Sequence, residues 1–281
     1  MPLLDDSTVL ITGASSGIGR ELARLAAPKA RALVLVARRV DRLEALRDEL
    51  AAAHAKLKVF LEPCDLADVA AAGRFLDGLA ARVGDVDVLI NNAGVGDFGP
   101  FDRADWKRTE SLIALNVTSL ALLTHRLVAP MVARGRGGVL NISSGYGFAF
   151  SPGLASYVGS KHFVTGFTES LRLDLSGTGV VVSQCCPGPV ATEFESVAAG
   201  EEGAIPKWAQ ISAAACARAA MRGFERGRAM IVPGLLMKFL RFLVAVSPRF
   251  MQRLVQAPIA RRFRKQLAEK QKQRELSAPR G

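Results

Sequence analysis

From residue 7 to residue 231, short apolar runs alternate with longer segments of helical spacing, and this rhythm constrains the fold more than any other feature. The runs are STVLIT, ALVLVA, KVFLEP, VDVLIN, GVLNIS, GVVVSQCC and AMIVP. Between them lie GIGRELARLAAPKA, RRVDRLEALRDELAAA, ADVAAAGRFLDGLAARV, a long stretch ending at Val132, and helical patterns around 156–175 and 212–225. Runs apolar at nearly every position suit strands covered on both faces, and strand–helix alternation joins such strands in parallel. The expected architecture is α/β and doubly wound, with a parallel sheet of about seven strands and helices on both faces.

A chain of 281 residues fits this plan as one domain with a sizeable core. The boundaries read as a single α/β domain over 1–234, with a less regular insert at 193–212, and an appended segment over 235–281. Charge divides the same way. The whole chain carries +11, but residues 235–281 hold twelve Lys+Arg against two Asp+Glu, leaving 25 against 24 for everything before. In the appended segment the basic residues are interleaved with Leu, Phe and Val, which argues against a nucleic-acid interface. MPLLDDSTVLITG has neither a basic leader nor a cleavable apolar run, so the expectation is a cytoplasmic protein.

Directly after the first strand comes TGASSGIGR, with Gly13, Gly17 and Gly19 at the turn into a helix and Ser15, Ser16 and Ile18 between them. Glycine at such a turn lets the backbone approach a pyrophosphate, whose charge the helix N-terminus meets. In this strand-to-helix context the motif points to a Rossmann-type dinucleotide site. The second strand ends on Arg38 and Arg39, where an acid would grip the ribose hydroxyl of NAD. Two arginines suit a 2′-phosphate, and the reading favours NADP(H). The alternative gives the ribose to Asp41, which lies several residues past the strand end.

Tyr157 and Lys161 stand four residues apart in SYVGSKHF, so on a helix they share a face. A free phenol titrates near 10, too high for acid–base work at neutral pH, and the adjacent ammonium is expected to lower it. Tyr146, the other tyrosine, has Phe150 at the same spacing and no such activator.

At this point the chain resembles the short-chain dehydrogenase/reductase family over roughly residues 7–192. The likeness is carried by TGASSGIG at 12–19, DL at 65–66, NNAG at 91–94, Asn116, NISS at 141–144, YVGSK at 157–161 and PGPVAT at 187–192. The resemblance implies a catalytic set of Ser144, Tyr157, Lys161 and Asn116. Tyr157 would exchange a proton with the substrate oxygen, Ser144 would hydrogen-bond that oxygen, Lys161 would tune Tyr157 and hold the nicotinamide ribose, and Asn116 would hold a water that links Lys161 to solvent. The family's thirteen-residue offset to Tyr157 selects Ser144 over Ser143. It also implies that Asp65 and Leu66 meet the adenine, that Asn92, Ala93 and Gly94 line the cofactor, and that Pro187, Gly188, Val190 and Thr192 cover the nicotinamide. Homodimers or homotetramers are the family's implied assemblies.

The loops around this site are apolar: Tyr146, Phe148, Phe150 and Leu154 follow Ser144, and the insert supplies Phe194 and Trp208. Such a lining favours an apolar, lipid-like ketone over a sugar or small acid. A 3-oxoacyl reductase and a non-catalytic NADP sensor at a membrane surface are the alternatives. In the appended segment, Phe250, Met251, Leu254 and Val255 fall opposite Arg249, Gln252, Arg253 and Gln256 on a helix. That pattern suits either docking on protein or peripheral membrane contact through 235–265, and docking on protein is favoured. His162, next to Lys161, points off its face and reads as structural. Cys64, Cys185, Cys186 and Cys216 have no ligand spacing and read as buried thiols, and no metal is expected.

Overall fold

The computed structural model describes residues 3–194 and 210–277, with the side chains of 267 and 270–277 excepted. Trp208 and most of the 193–212 insert lie outside the described residues.

Seven parallel strands form one sheet: β1 (Thr8–Thr12), β2 (Ala32–Ala37), β3 (Lys58–Pro63), β4 (Val88–Asn91), β5 (Gly137–Ile142), β6 (Val180–Cys185) and, at the edge after β6, a short strand Met230–Ile231. Strands Val190–Ala191 (β7) and Ile211–Ser212 (β8) pair with each other outside that sheet, so the edge strand is β9. The order β3-β2-β1-β4-β5-β6-β9 reverses direction between β1 and β4. An open parallel sheet binds ligands in the crevice beyond the strand ends at such a reversal.

Helices α1 (Gly17–Ala26), α2 (Val40–Ala53) and α8 (Ala213–Glu225) share one core cluster with the sheet, supplying Leu22, Leu43, Leu46 and Phe224. On the opposite face a second cluster joins α3 (Val69–Asp77), α4 (Leu79–Val83) and α6 (Leu120–Ala133) to Leu10, Val34, Leu89 and Val139. The single helix expected over ADVAAAGRFLDGLAARV is divided at Gly78 into α3 and α4. α1 ends at Ala26, short of its expected reach, because the chain turns through residues 27–29 before β2.

The run Trp106–Ala133, taken as a whole, is long and apolar enough to cross a membrane by length and composition alone. Its apolar positions Leu112, Leu120, Leu123 and Met131 are buried in this fold. The run is α5 (Trp106–Ile113), a π-helical segment Ala114–Ser119, and α6. α7 (Ala155–Asp174) follows β5 and buries Tyr157, Ser160, Lys161, Val164 and Thr168, a stripe at helical spacing. Of the four cysteines, Cys185, Cys186 and Cys216 are buried, whereas Cys64 at the end of β3 is half-buried.

Beyond β9 the chain forms α9 (Leu235–Val246) and α10 (Arg249–Ser277). Both lie against the rest of the molecule. The Gln256 side chain donates to the Phe150 carbonyl at 2.9 Å, Phe263 meets Phe98 edge-on at 5.3 Å, and Arg264 grips Asp102 through two bonds of 2.7 and 3.0 Å.

Candidate active site

The glycine turn after β1 is built by close approach. Gly13 has φ +66° and Gly17 φ +53°, and a Cβ on Gly19 would stand 2.3 Å from the Gly13 carbonyl oxygen. Side chains are excluded there, so the first turn of α1 presents backbone. Thr12 Oγ1 accepts the Asn92 and Ala93 N–H groups, each at 2.9 Å, and Asn92 Nδ2 donates to the Thr12 carbonyl at 2.9 Å. These bonds pin the NNAG loop to the glycine turn. Thr192 closes the other side, with its Cγ2 3.1 Å from where a Gly17 Cβ would be.

At the end of β2, Arg39 donates to Ser16 Oγ at 2.8 Å and to Ser15 Oγ at 3.2 Å. The Glu193 carboxylate bridges Arg39 at 2.9 Å and Arg42 at 2.6 Å, so an anion is already held where these arginines converge. Arg38 is largely exposed and lies 3.9 Å from Asp65. This donor set fits the phosphates of a dinucleotide, and Arg42, one helical turn beyond Arg38, joins it. Asp41 is exposed at the start of α2.

Some predicted cofactor residues play other parts. The Leu66 side chain is buried in the second core cluster, and its carbonyl accepts from Ser119 Oγ, so only its backbone is available to a ligand. Val190 is likewise a core residue, and Ile18 packs partly against the same cluster. Pro187 accepts the Gly145 N–H at 2.7 Å, joining the post-β6 loop to the post-β5 loop.

The reacting end is formed by β5, α7 and the π segment. Ser143 and Ser144 are adjacent but diverge. Ser143 Oγ turns into α7, 3.2 Å from the Lys161 carbonyl, whereas Ser144 caps the following 3-10 turn by accepting the Tyr146 N–H at 3.2 Å. Lys161 Nζ is buried, donates to the Ile142 carbonyl at 2.9 Å, and lies 3.6 Å from where a Gly94 Cβ would stand.

Asn116 reaches the same point from the π segment. Its Oδ1 accepts the Val95 N–H at 3.0 Å, and its Nδ2 donates to the Val95 carbonyl at 2.9 Å and to Ser160 Oγ at 3.1 Å. Ser160 in turn donates to the Tyr157 carbonyl at 2.7 Å. A π turn inside a longer helix frequently marks a functional position. Among the described residues, Asn116 thus acts on the α7 backbone through Ser160, a contact that neither motif nor spacing announces.

The expected lowering of the phenol by Lys161 is not found. Nζ lies 5.8 Å from the Tyr157 ring centroid and gives its bond to Ile142. Burial therefore dominates and pushes the Tyr157 phenol up to about 12, with the Ser144 hydrogen bond acting in the opposite direction. Burial likewise lowers Lys161 to about 8. The Tyr157 phenol therefore keeps its proton at neutral pH.

The predicted substrate-pocket residues separate into two groups. Tyr146 and Phe194 flank the Tyr157 ring, with centroids at 6.2 and 5.5 Å. Phe148 and Phe150 instead line a cavity of about 940 Å³ between α7 and the C-terminal helices, with Val158, His162, Arg241 and Val244. That cavity is formed by the outer side of α7, away from the Tyr157 and Lys161 face. The residue missed over the site is Met237, whose Sδ and Cε fill the space that side chains on Gly188 and Gly145 would need.

The model of the short chain dehydrogenase family matches residues 7–202. The chain belongs to the short-chain dehydrogenase/reductase family. An uncharacterized oxidoreductase of Myxococcus xanthus is 42% identical over 190 residues, covering 66% of this chain and 73% of that protein. Among solved structures, a short-chain dehydrogenase from Sphingobium yanoikuyae in complex with NADPH superposes with TM-score 0.75 at 32% identity, over 86% of this chain and 96% of that one. The bulky-bulky ketone specific alcohol dehydrogenase from Comamonas testosteroni gives TM-score 0.71 at 28% identity, over 86% and 95%. As a short-chain dehydrogenase/reductase, this chain is an oxidoreductase acting on alcohol and ketone groups with a nicotinamide cofactor.

Proposed function

We propose that this enzyme uses NADP(H) to interconvert a hydrophobic ketone and its secondary alcohol, with Tyr157 as the proton donor. The observation that carries the reading is the buried Tyr157 phenol with buried Lys161 Nζ 5.8 Å from its ring centroid, in a site walled by Tyr146, Phe194 and Met237. A nicotinamide cofactor held at the strand ends would supply or accept the hydride. Ser144 and Tyr157 hold the substrate oxygen between two hydroxyls, and the phenol releases its proton as negative charge grows there. Lys161 would hold the cofactor ribose, and Asn116 fixes α7 through Ser160.

The preference for NADP is supported by Arg38, Arg39 and Arg42 at the β2 end, where an acid on the strand would serve NAD instead. The apolar walls, and the bulky ketones named for the Comamonas enzyme, support a large apolar substrate. Exposed Trp106, Ile113, Phe163 and Leu173 on α5 and α7 support subunit pairing through those helices.

The test is NADPH oxidation across ketones of graded chain length and ring size, run on the wild type and on Tyr157→Phe. We expect turnover to rise with apolar bulk and to fall about 10²–10⁴-fold in the variant while NADPH fluorescence still reports binding. Turnover surviving in Tyr157→Phe removes its role, and a preference for small charged carbonyls removes the substrate class.

A further inference from the structure

α9 and the first half of α10 present their apolar residues to the wrong side for a helix that serves only its own protein. The side chains turned toward the body are Met237, Arg241 and Val244 on α9, and Gln252, Gln256 and Phe263 on α10, each half-buried at helical spacing. Contacts made by that inner stripe include those of Met237 at Gly145 and Gly188, Gln256 at Phe150 and Phe263 at Phe98. The opposite sides carry Leu235, Phe239, Phe242, Phe250, Leu254 and Val255, among others. Twelve of the nineteen exposed large apolar side chains among the described residues fall between Leu235 and Ile259, each 40–83% exposed. Isolated exposed apolar residues are ordinary, but this many within two consecutive helices mark a surface that something covers.

Charge decides what covers it. Lys238, Arg261 and Arg262 are exposed among or just after these residues, and residues 235–281 carry twelve basic against two acidic side chains. Two copies joined through this face would bring two such positive surfaces together, which opposes pairing. α9 spans twelve residues, too few to cross a bilayer, and the 29-residue α10 is not apolar enough to do so, so the helices would lie on its surface. Apolar side chains that reach the acyl boundary, with basic ones at headgroup level, are what an interfacial helix provides.

We propose that the outward faces of α9 and α10 dock this protein on an anionic lipid bilayer, with the inward faces retaining their contacts beside the active site. The proposal stands apart from the reaction chemistry and needs no particular substrate.

Flotation of the full chain with phosphatidylcholine vesicles, with and without phosphatidylglycerol, tests it. We expect binding to the anionic vesicles that weakens as salt is raised, with binding at least about tenfold weaker to phosphatidylcholine alone. Leu254→Glu with Val255→Glu, and separately Arg261→Glu with Arg262→Glu, should each lower vesicle binding about tenfold or more. All four side chains are exposed, so turnover of a soluble ketone should be unchanged and reports that the variants are folded. Arg261→Ala with Arg262→Ala gives the same direction without reversing charge, should the glutamate pair fail to fold. No flotation with phosphatidylglycerol overturns the proposal, as does equal binding to neutral vesicles. It is also overturned if sedimentation shows that Leu254→Glu with Val255→Glu splits an assembly while vesicle binding stays intact.

Discussion

Lys161 carries an ammonium into a place that does not favour one. Its burial lowers its titration from 10.5 to about 8 in the folded chain. Between those values the unfolded chain holds the proton that the folded chain has released, so stability rises as pH increases from about 8 to about 10.5 and is depressed below. The full difference is about 3 kcal/mol. Urea unfolding of the cofactor-free protein should show this rise, and Lys161→Met should flatten it; a variant that keeps the slope shows that another group is responsible. The arginines at the β2 end make a different prediction. Arg38→Ala with Arg39→Ala should weaken NADPH binding about 10²-fold, as expected for charge-assisted bonds, and NADH far less, measured by fluorescence titration. Equal losses would count against a phosphate clamp. The four-residue spacing of Tyr157 and Lys161 was enough to place both on the buried face of α7, whereas Ser144 was picked out only through the family resemblance. The titration of Tyr157 was not legible, because motif spacing cannot say that Lys161 Nζ bonds the Ile142 carbonyl. Ser160 was hidden as well, since a serine between Tyr157 and Lys161 looks like any small helical residue.

At the scale of elements, the alternation of apolar runs and helical spacing located all seven strands of the main sheet, because a strand covered on both faces leaves a continuous apolar signature. Gly78 and the π segment Ala114–Ser119 escaped it, since each breaks a helix without breaking its apolar period. The glycines of β5 show how closely the layers meet. A Cβ on Gly138 would stand 2.6 Å from the ring of Phe224, the fully buried residue that seats α8 on the sheet. Gly138→Val should therefore overpack this contact and cost about 1–3 kcal/mol, seen as a lower urea midpoint with unchanged slope. An unaltered midpoint would mean that α8 can lift from β5 freely. The last helix, α10, was legible as amphipathic, but not in its orientation. Helical spacing gives the two sides of α10 and is silent on which one meets Phe98 and Phe150.

For the whole molecule, the near-neutral body and the strongly basic C-terminal segment are the clearest division in the sequence, and α9 still contributes to the site through Met237. A chain ending at residue 234 should fold and turn over, with KM for bulky apolar ketones raised about tenfold by loss of that methionine's cover. Circular dichroism and steady-state kinetics would check both parts, and an unfolded truncation would make α9 and α10 part of the core. Every strand runs the same way, so Gly13, Arg38, Asp65, Asn92, Ser144 and Pro187 all follow strand ends at a single rim. The turns at the other rim, such as Gly177–Gly179 before β6, are free of that duty. For protein engineering the molecule is a tool with one working edge and one handle: a tag or fused domain inserted at Gly177 sits a full strand length from the chemistry.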